Sequence, residues 1–307
     1  MNNYFLQELN LGYEFLNVIY SLILLTGLYQ IGSLIFKIRV LKNIFSKISD
    51  LKYLNIFIST NLILLIFYPL ILFSNKINFI PLLSIGIFVF GILKIFSKFK
   101  NKLYFQKITF EKNNLDKYLV IVTLILLLLL SLSPNTHGDS LGYHFVVAKK
   151  LLTTGKYHYD ITHFHSLLSG SGEIFIAIGL FFGSEHFGSL IQFSGLISIL
   201  GIVKKIKNDN KFYYFLLILT SPVILFLSST AKPQLFHICS SSVIFCSYLF
   251  TNSKSLNLTE KNWRLIVSIL VLIVSVTAKF NFIISSALIG LIILLIILII
   301  LMYVYYE

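Results

Sequence analysis

The chain is poor in charge and almost empty of acid. Charged residues make up 12 % of its 307 positions, and only twelve are Asp or Glu, where a soluble domain carries about 25 % charged residues. That shortage excludes a water-soluble globule. Cysteine is nearly missing as well. Cys239 and Cys246 lie in one apolar run, and helix geometry would set them about 10 Å apart along the axis, too far for a disulfide. Both read as small apolar fillers. The first residues, MNNYFLQELNLGYEF, have no basic n-region and no small-residue cleavage site, so no cleaved signal peptide is expected.

In place of charge the sequence has hydrocarbon: 57 % hydrophobic residues and a mean hydropathy of +0.87. Several runs approach the roughly 20 apolar residues that cross a bilayer as helix. The expected fold is therefore all-α, a polytopic membrane helix bundle of about nine transmembrane helices. The runs are 12–36, 53–73, 78–97, 118–133, 186–203, 212–229, 233–250, 265–278 and 282–304.

The net charge of +13 would point to nucleic acid in a soluble domain. Here the loops 37–52, 94–117, 204–211 and 251–264 hold nineteen of the twenty-five Lys and Arg. Such a bias marks cytoplasmic loops, and no nucleic-acid partner is expected. With nine spans, the N-terminus and the loop 134–185 then face the non-cytoplasmic side. The turns carrying Lys232 and Lys279, in the matching contexts SSTAKPQLF and SVTAKFNFI, face the same way. A lysine at membrane depth is costly. These two either snorkel to the headgroups or hold an anionic group such as a lipid phosphate.

Loop 134–185 collects the titratable groups. Six of the seven histidines and four of the twelve acids lie between His137 and His186. Pro134 closes the fourth span, and HGDS forms a turn with Asp139 at or beside a helix N-cap. Leu141, Phe145, Ala148 and Leu152 recur at helical spacing, which predicts an amphipathic surface helix ending at Gly155. A second short helix, about 171–182, carries Glu173 in its first turn, where a negative charge is favourable. Between them, His158, Asp160, His163 and His165 lie in an irregular segment. His163 and His165 have the spacing of a metal pair, without a closed ligand set.

An Asp a few residues beyond a span, then Tyr-His, an amphipathic helix, a glycine, and later a serine and glutamate before the next span resembles the GT-C superfamily. Those membrane glycosyltransferases take sugar from polyprenyl-phosphate or polyprenyl-diphosphate carriers; protein mannosyltransferases and aminoarabinose transferases are among them. The chain is most similar to bacterial members with a D-S-L-x-Y-H motif, here Asp139-Ser140-Leu141-Gly142-Tyr143-His144. The resemblance covers roughly 118–300, with 134–185 as the outer catalytic loop and the first three spans as an extension. It implies a hexosyl- or pentosyltransferase of the bacterial inner membrane, moving sugar from a polyprenyl-phosphate-linked donor to a glycan, lipid or protein acceptor. It makes Asp139 either the general base toward the acceptor hydroxyl or a ligand, with His144, of a divalent metal such as Mg or Mn. His137 and His144 would orient Asp139, and Tyr143, Glu173, Lys232, Gln234 and Lys279 would line the substrate.

The pattern departs from the superfamily twice. Gln234 stands where many relatives place a second acid, and an amide cannot act as a base. The sequence also stops at Glu307, straight after a span, which leaves open a minimal member, a fragment or an inactive membrane subunit. A transporter or flippase of lipid-linked saccharide is the rival from another class. Such proteins place ionisable groups along a path across the bilayer, whereas here they gather at one face.

Overall fold

A computed structural model describes residues 14–74, 77–100, 115–157, 169–206, 211–250, 256–279 and 281–306. Those residues are helices and connections, with no strand among them. The chain order is α1 (Glu14–Ile35), α2 (Arg39–Ser46), α3 (Leu51–Phe73), α4 (Phe79–Lys100), α5 (Leu115–Ser131), a π turn (Ser140–His144), α6 (Phe145–Thr154) and α7 (Glu173–Phe181). It continues with α8 (His186–Lys205), α9 (Lys211–Leu219), α10 (Pro222–Ser228), α11 (Leu235–Leu249), α12 (Leu258–Ala278) and α13 (Phe282–Tyr306). Six helices, α1, α3, α4, α8, α12 and α13, are long and apolar enough to cross a membrane, while α5 and α11 are shorter apolar helices. This is an integral membrane helix bundle.

Burial sorts the long helices. The most apolar window of α8 is 89 % buried and that of α13 only 11 %, so α8 is the central post and α13 turns most of its surface outward. Around α8, one apolar cluster joins Leu24 and Leu28 of α1, Leu64 of α3, Ile80 of α4 and Ile191 of α8. Helices α1 and α4 approach closely because neither has a side chain at the crossing. A Cβ on Gly27 would collide with the Ile87 carbonyl, and one on Gly91 with the Ile23 carbonyl. Small residues at crossings let membrane helices meet backbone to backbone.

Four features depart from the sequence reading. The basic loop after α1 contains α2, whose Leu41, Ile44 and Phe45 are buried. The run 212–229 is split into α9 and α10, because Pro222 is costly in a helix interior and takes the first turn of α10 instead. Helix α12 starts seven residues before its apolar run. Its start is fixed by a capping box in which Asn257 Oδ1 accepts the Glu260 N–H at 2.8 Å.

The fourth departure concerns loop 134–185. Its two described helices pack against the bundle. Phe145, Ala148 and Leu151 of α6 belong to the α1–α3–α4–α8 cluster, and every residue from Glu173 to Leu180 in α7 is buried. Helix α6 does end at Gly155, which takes φ +70°, a conformation glycine adopts without penalty. Asn78, ahead of α4, donates to the Leu152 carbonyl at that end at 2.7 Å. The first three long helices thus build the wall against which α6 and α7 pack. The segment with His158, Asp160, His163 and His165 lies outside the described residues.

Replacing Gly27 or Gly91 with leucine is expected to pry α1 from α4. Overpacking of this kind costs about 1–3 kcal/mol. A lowered melting temperature in detergent, beside an unchanged Gly86→Ala control with open space around it, checks the crossing.

Candidate functional site

Chain turns at one end of the bundle bring the polar groups together. The turn between α10 and α11 carries Lys232, and that between α12 and α13 carries Lys279. Both lysines are 8 % exposed. Between them passes the turn leading into α7, Gly170-Ser171-Gly172. Gly170 sits against the Thr277 and Ala278 carbonyls, and Gly172 against the Pro233 ring, each too close for a Cβ. The Ser171 N–H donates to the Thr277 carbonyl at 2.9 Å. The two Thr-Ala-Lys turns therefore clamp one glycine-rich segment and deliver Glu173 beneath it.

Asn135 locks the other side. Its Oδ1 accepts the Ala231 N–H at 3.0 Å and the Ser189 hydroxyl at 3.4 Å, while its Nδ2 donates to the Glu185 carbonyl at 3.3 Å. One buried amide thus ties the start of the loop to α8 and to the first lysine turn. The N-terminus of α11 is held by Gln192 of α8, whose Oε1 accepts the Phe236 N–H at 2.9 Å.

Within this frame Asp139 is the outermost acid. Its Oδ2 receives the Lys232 Nζ at 2.5 Å, with 58 % of the Asp139 side chain exposed and 10 % of the Lys232 side chain. The hydrogen bond from Lys232 holds the carboxyl below the usual carboxylate range against a smaller opposing effect of burial. Asp139 makes no side-chain cap to the following turn; the ion pair takes that oxygen instead. Lys232 also lies 5.5 Å from the Phe226 ring centroid, a cation–π distance.

Of the two histidines expected to orient Asp139, His137 contacts it and His144 does not. His137 does not touch the Asp139 carboxylate; its Nδ1 accepts the Asp139 backbone N–H at 3.2 Å, so it positions the main chain. Burial, and after it the Lys232 charge, keep this imidazole below its ordinary value. His144 pairs with Glu173 rather than Asp139. Its Nδ1 is 2.7 Å from Glu173 Oε1, both side chains fully buried, and Glu173 Oε2 accepts the Gly170 N–H at 2.9 Å. Glu173 is thus fully engaged, as a buried carboxylate must be. A π turn, a form frequent at functional sites, sets Tyr143 beside the His144 ring at 3.9 Å.

Lys279 is the under-satisfied member. Its Nζ donates to the Tyr143 hydroxyl at 3.3 Å, and among the described residues no carboxylate lies within ion-pair distance of it. Burial and then the Lys232 charge push its ammonium below the ordinary lysine value. The Tyr143 phenol is pushed up by burial, then by Glu173 and Asp139. Gln234 lies at the start of α11, where its backbone N–H closes a turn on the Lys232 carbonyl at 2.7 Å.

The donor set among the described residues does not fit a divalent metal. Among the described residues no three His, Cys, Asp or Glu side chains are grouped to hold one. Asp139 is taken by an ammonium, His144 is turned to Glu173, and two lysines oppose a second cation. Two cationic groups converging on one open carboxylate favour an anion. Asn135, Gly170, Gly172 and Gln192 escaped the sequence reading. The Ser-Gly-Ser-Gly run before Glu173 was the one local signal of a close backbone approach.

A family model described as the DUF1420 N-terminal domain matches residues 88–306, from within α4 to the end of α13, and the chain belongs to that family. No curated protein and no solved structure matches it.

His137 is expected to titrate below the ordinary histidine value of 6.5. Its neutral Nδ1 accepts the Asp139 N–H at neutral pH; acidification protonates that nitrogen and the bond is lost. NMR of imidazole-labelled protein reads this directly, and Lys232→Met should move the His137 midpoint upward.

Proposed function

We propose that this DUF1420-family chain is an integral-membrane glycosyltransferase that moves a sugar from a polyprenyl-phosphate-linked donor at the non-cytoplasmic face. The observation carrying the reading is Lys279: a buried ammonium with one weak acceptor among the described residues, beside a second buried lysine already shared with an open carboxylate. Such a pair asks for a multivalent anion, and phosphate satisfies both ammonium groups at once. The motif around Asp139 supplies the class of donor. In this reading the bundle has nine membrane crossings, with α9–α10 as one broken crossing, and the basic connections lie in the cytoplasm.

The mechanism follows from which group each proton and charge must reach. A donor phosphate entering between the lysines draws Lys232 away from Asp139. The freed carboxylate rises in basicity, because the hydrogen bond that depressed it has gone. It then accepts the proton of the acceptor hydroxyl as that oxygen attacks the anomeric carbon on the face opposite the phosphate. The anomeric carbon–oxygen bond breaks with its electrons moving onto the phosphate, whose added charge falls on Lys232 and Lys279. Tyr143, held in its phenol form, and the His144–Glu173 pair keep Lys279 in place beneath the reacting centre. No metal is required to balance these steps.

The test is transfer of labelled sugar from a lipid-linked donor in membranes holding each variant. Asp139→Asn should lose at least about 10²-fold in transfer, the contribution of a positioned general base, with membrane insertion unchanged. Undiminished transfer by that variant removes Asp139 from the mechanism. Movement of intact lipid-linked saccharide across sealed vesicles without bond cleavage would favour the transporter reading.

A further inference from the structure

The far end of α8 carries a second meeting of charge and hydrocarbon. His186 and Lys204 are 18 residues apart on this helix, about 27 Å at 1.5 Å per residue, close to the roughly 30 Å of a bilayer core. Lys204 therefore lies in the leaflet opposite the lysine–aspartate site. Beside it a cavity of about 590 Å³ opens between α3, α5, α8 and α9, within the about 300–1,000 Å³ typical of small-molecule pockets.

The cavity is polar only at its mouth. Val120, Leu124, Leu200 and Phe215 form apolar walls, and the charged lining groups are Asp116 and Lys204. Asp116 is in the first turn of α5 and Lys204 in the last turn of α8, so both stand where the helices reach the membrane surface. The Lys204 ammonium is steadied by Tyr53, donating to its hydroxyl at 3.0 Å and lying 5.2 Å from its ring centroid. It remains half exposed, with Asp50 only loosely paired at 3.9 Å. A soluble metabolite would leave the apolar walls unfilled. A peptide would bring backbone N–H and C=O groups with no partners along them. An amphiphile satisfies both parts.

We propose that this groove holds one bilayer phospholipid with a primary-ammonium head group, its acyl chain along α5 and α8, its phosphate on Lys204 and its ammonium on Asp116. A head group bearing phosphate alone would face Asp116 and Asp50 with like charge, whereas a phosphoethanolamine head presents each sign to its opposite. The site is remote from the proposed transferase centre and stands independently of that reading.

Native mass spectrometry of the full chain in mild detergent, with equal phosphatidylethanolamine, phosphatidylglycerol and phosphatidylcholine added, tests it. The wild type should retain one phosphatidylethanolamine per chain ahead of the other two. Lys204→Met should abolish that retention and Lys204→Arg should keep it. Asp116→Asn should remove the lead of phosphatidylethanolamine over phosphatidylglycerol. Leu124→Trp, which fills the groove without touching a charge, should also displace the lipid, and it serves if Lys204→Met fails to fold. No lipid retained at one per chain, no lead for phosphatidylethanolamine in the wild type, or retention unchanged by both Lys204→Met and Leu124→Trp would overturn the proposal.

Discussion

Two ammonium groups buried at one end of a membrane bundle set the terms for everything around them. Lys232 and Lys279 are each 8 % exposed, and an ammonium out of water is costly unless paired. Among the described residues, one of them finds Asp139 and the other finds only the Tyr143 hydroxyl. The surrounding structure keeps that arrangement from relaxing. Asn135, the glycine-rich approach to α7 and the Gln192 contact to α11 fix the turns on which the lysines stand. Glu173, the acid that could have neutralised Lys279, is occupied by His144 and by the Gly170 N–H. Among the described residues Lys279 thus has no carboxylate partner, and the proposed donor phosphate is the group that would take that place.

The wall around this end comes from the N-terminal helices. Residues of α1, α3 and α4 share one apolar cluster with the loop helices α6 and α7, so those two helices are packed into the bundle. The family match begins inside α4, yet the packing that buries the loop draws on helices before that point. The central post α8 links the two ends. Its first residues border the lysine–aspartate site, and its last turn, with Lys204 and Lys205, forms part of the mouth of the lipid-sized groove.

Long-period information was legible in the sequence, and contact information was not. Apolar runs placed the six long helices and Gly155 placed the end of α6, because span length and left-handed backbone leave a local mark. Pro222 also left one, and reading 212–229 by hydropathy alone passed over it. Lys232 and Lys279 were singled out as charges at membrane depth and Asp139 by its motif, and the structure brings them to one end of the bundle. Their pairing was hidden. His137 and His144 looked like partners for Asp139 because they flank it in sequence, whereas a π turn directs His144 to a glutamate 29 residues away. Asn135 and Gln192 carry no local signal, since their roles exist only once distant turns are side by side.

The most direct measurement of the central claim is binding of a short isoprenyl phosphate to the purified chain, set against the same isoprenyl alcohol. The account predicts saturable binding of the phosphate, none of the alcohol, and an affinity loss of about tenfold or more in Lys279→Met, as expected on removing one charge-assisted contact. Equal binding of phosphate and alcohol, or phosphate binding untouched by loss of both lysines, would contradict it.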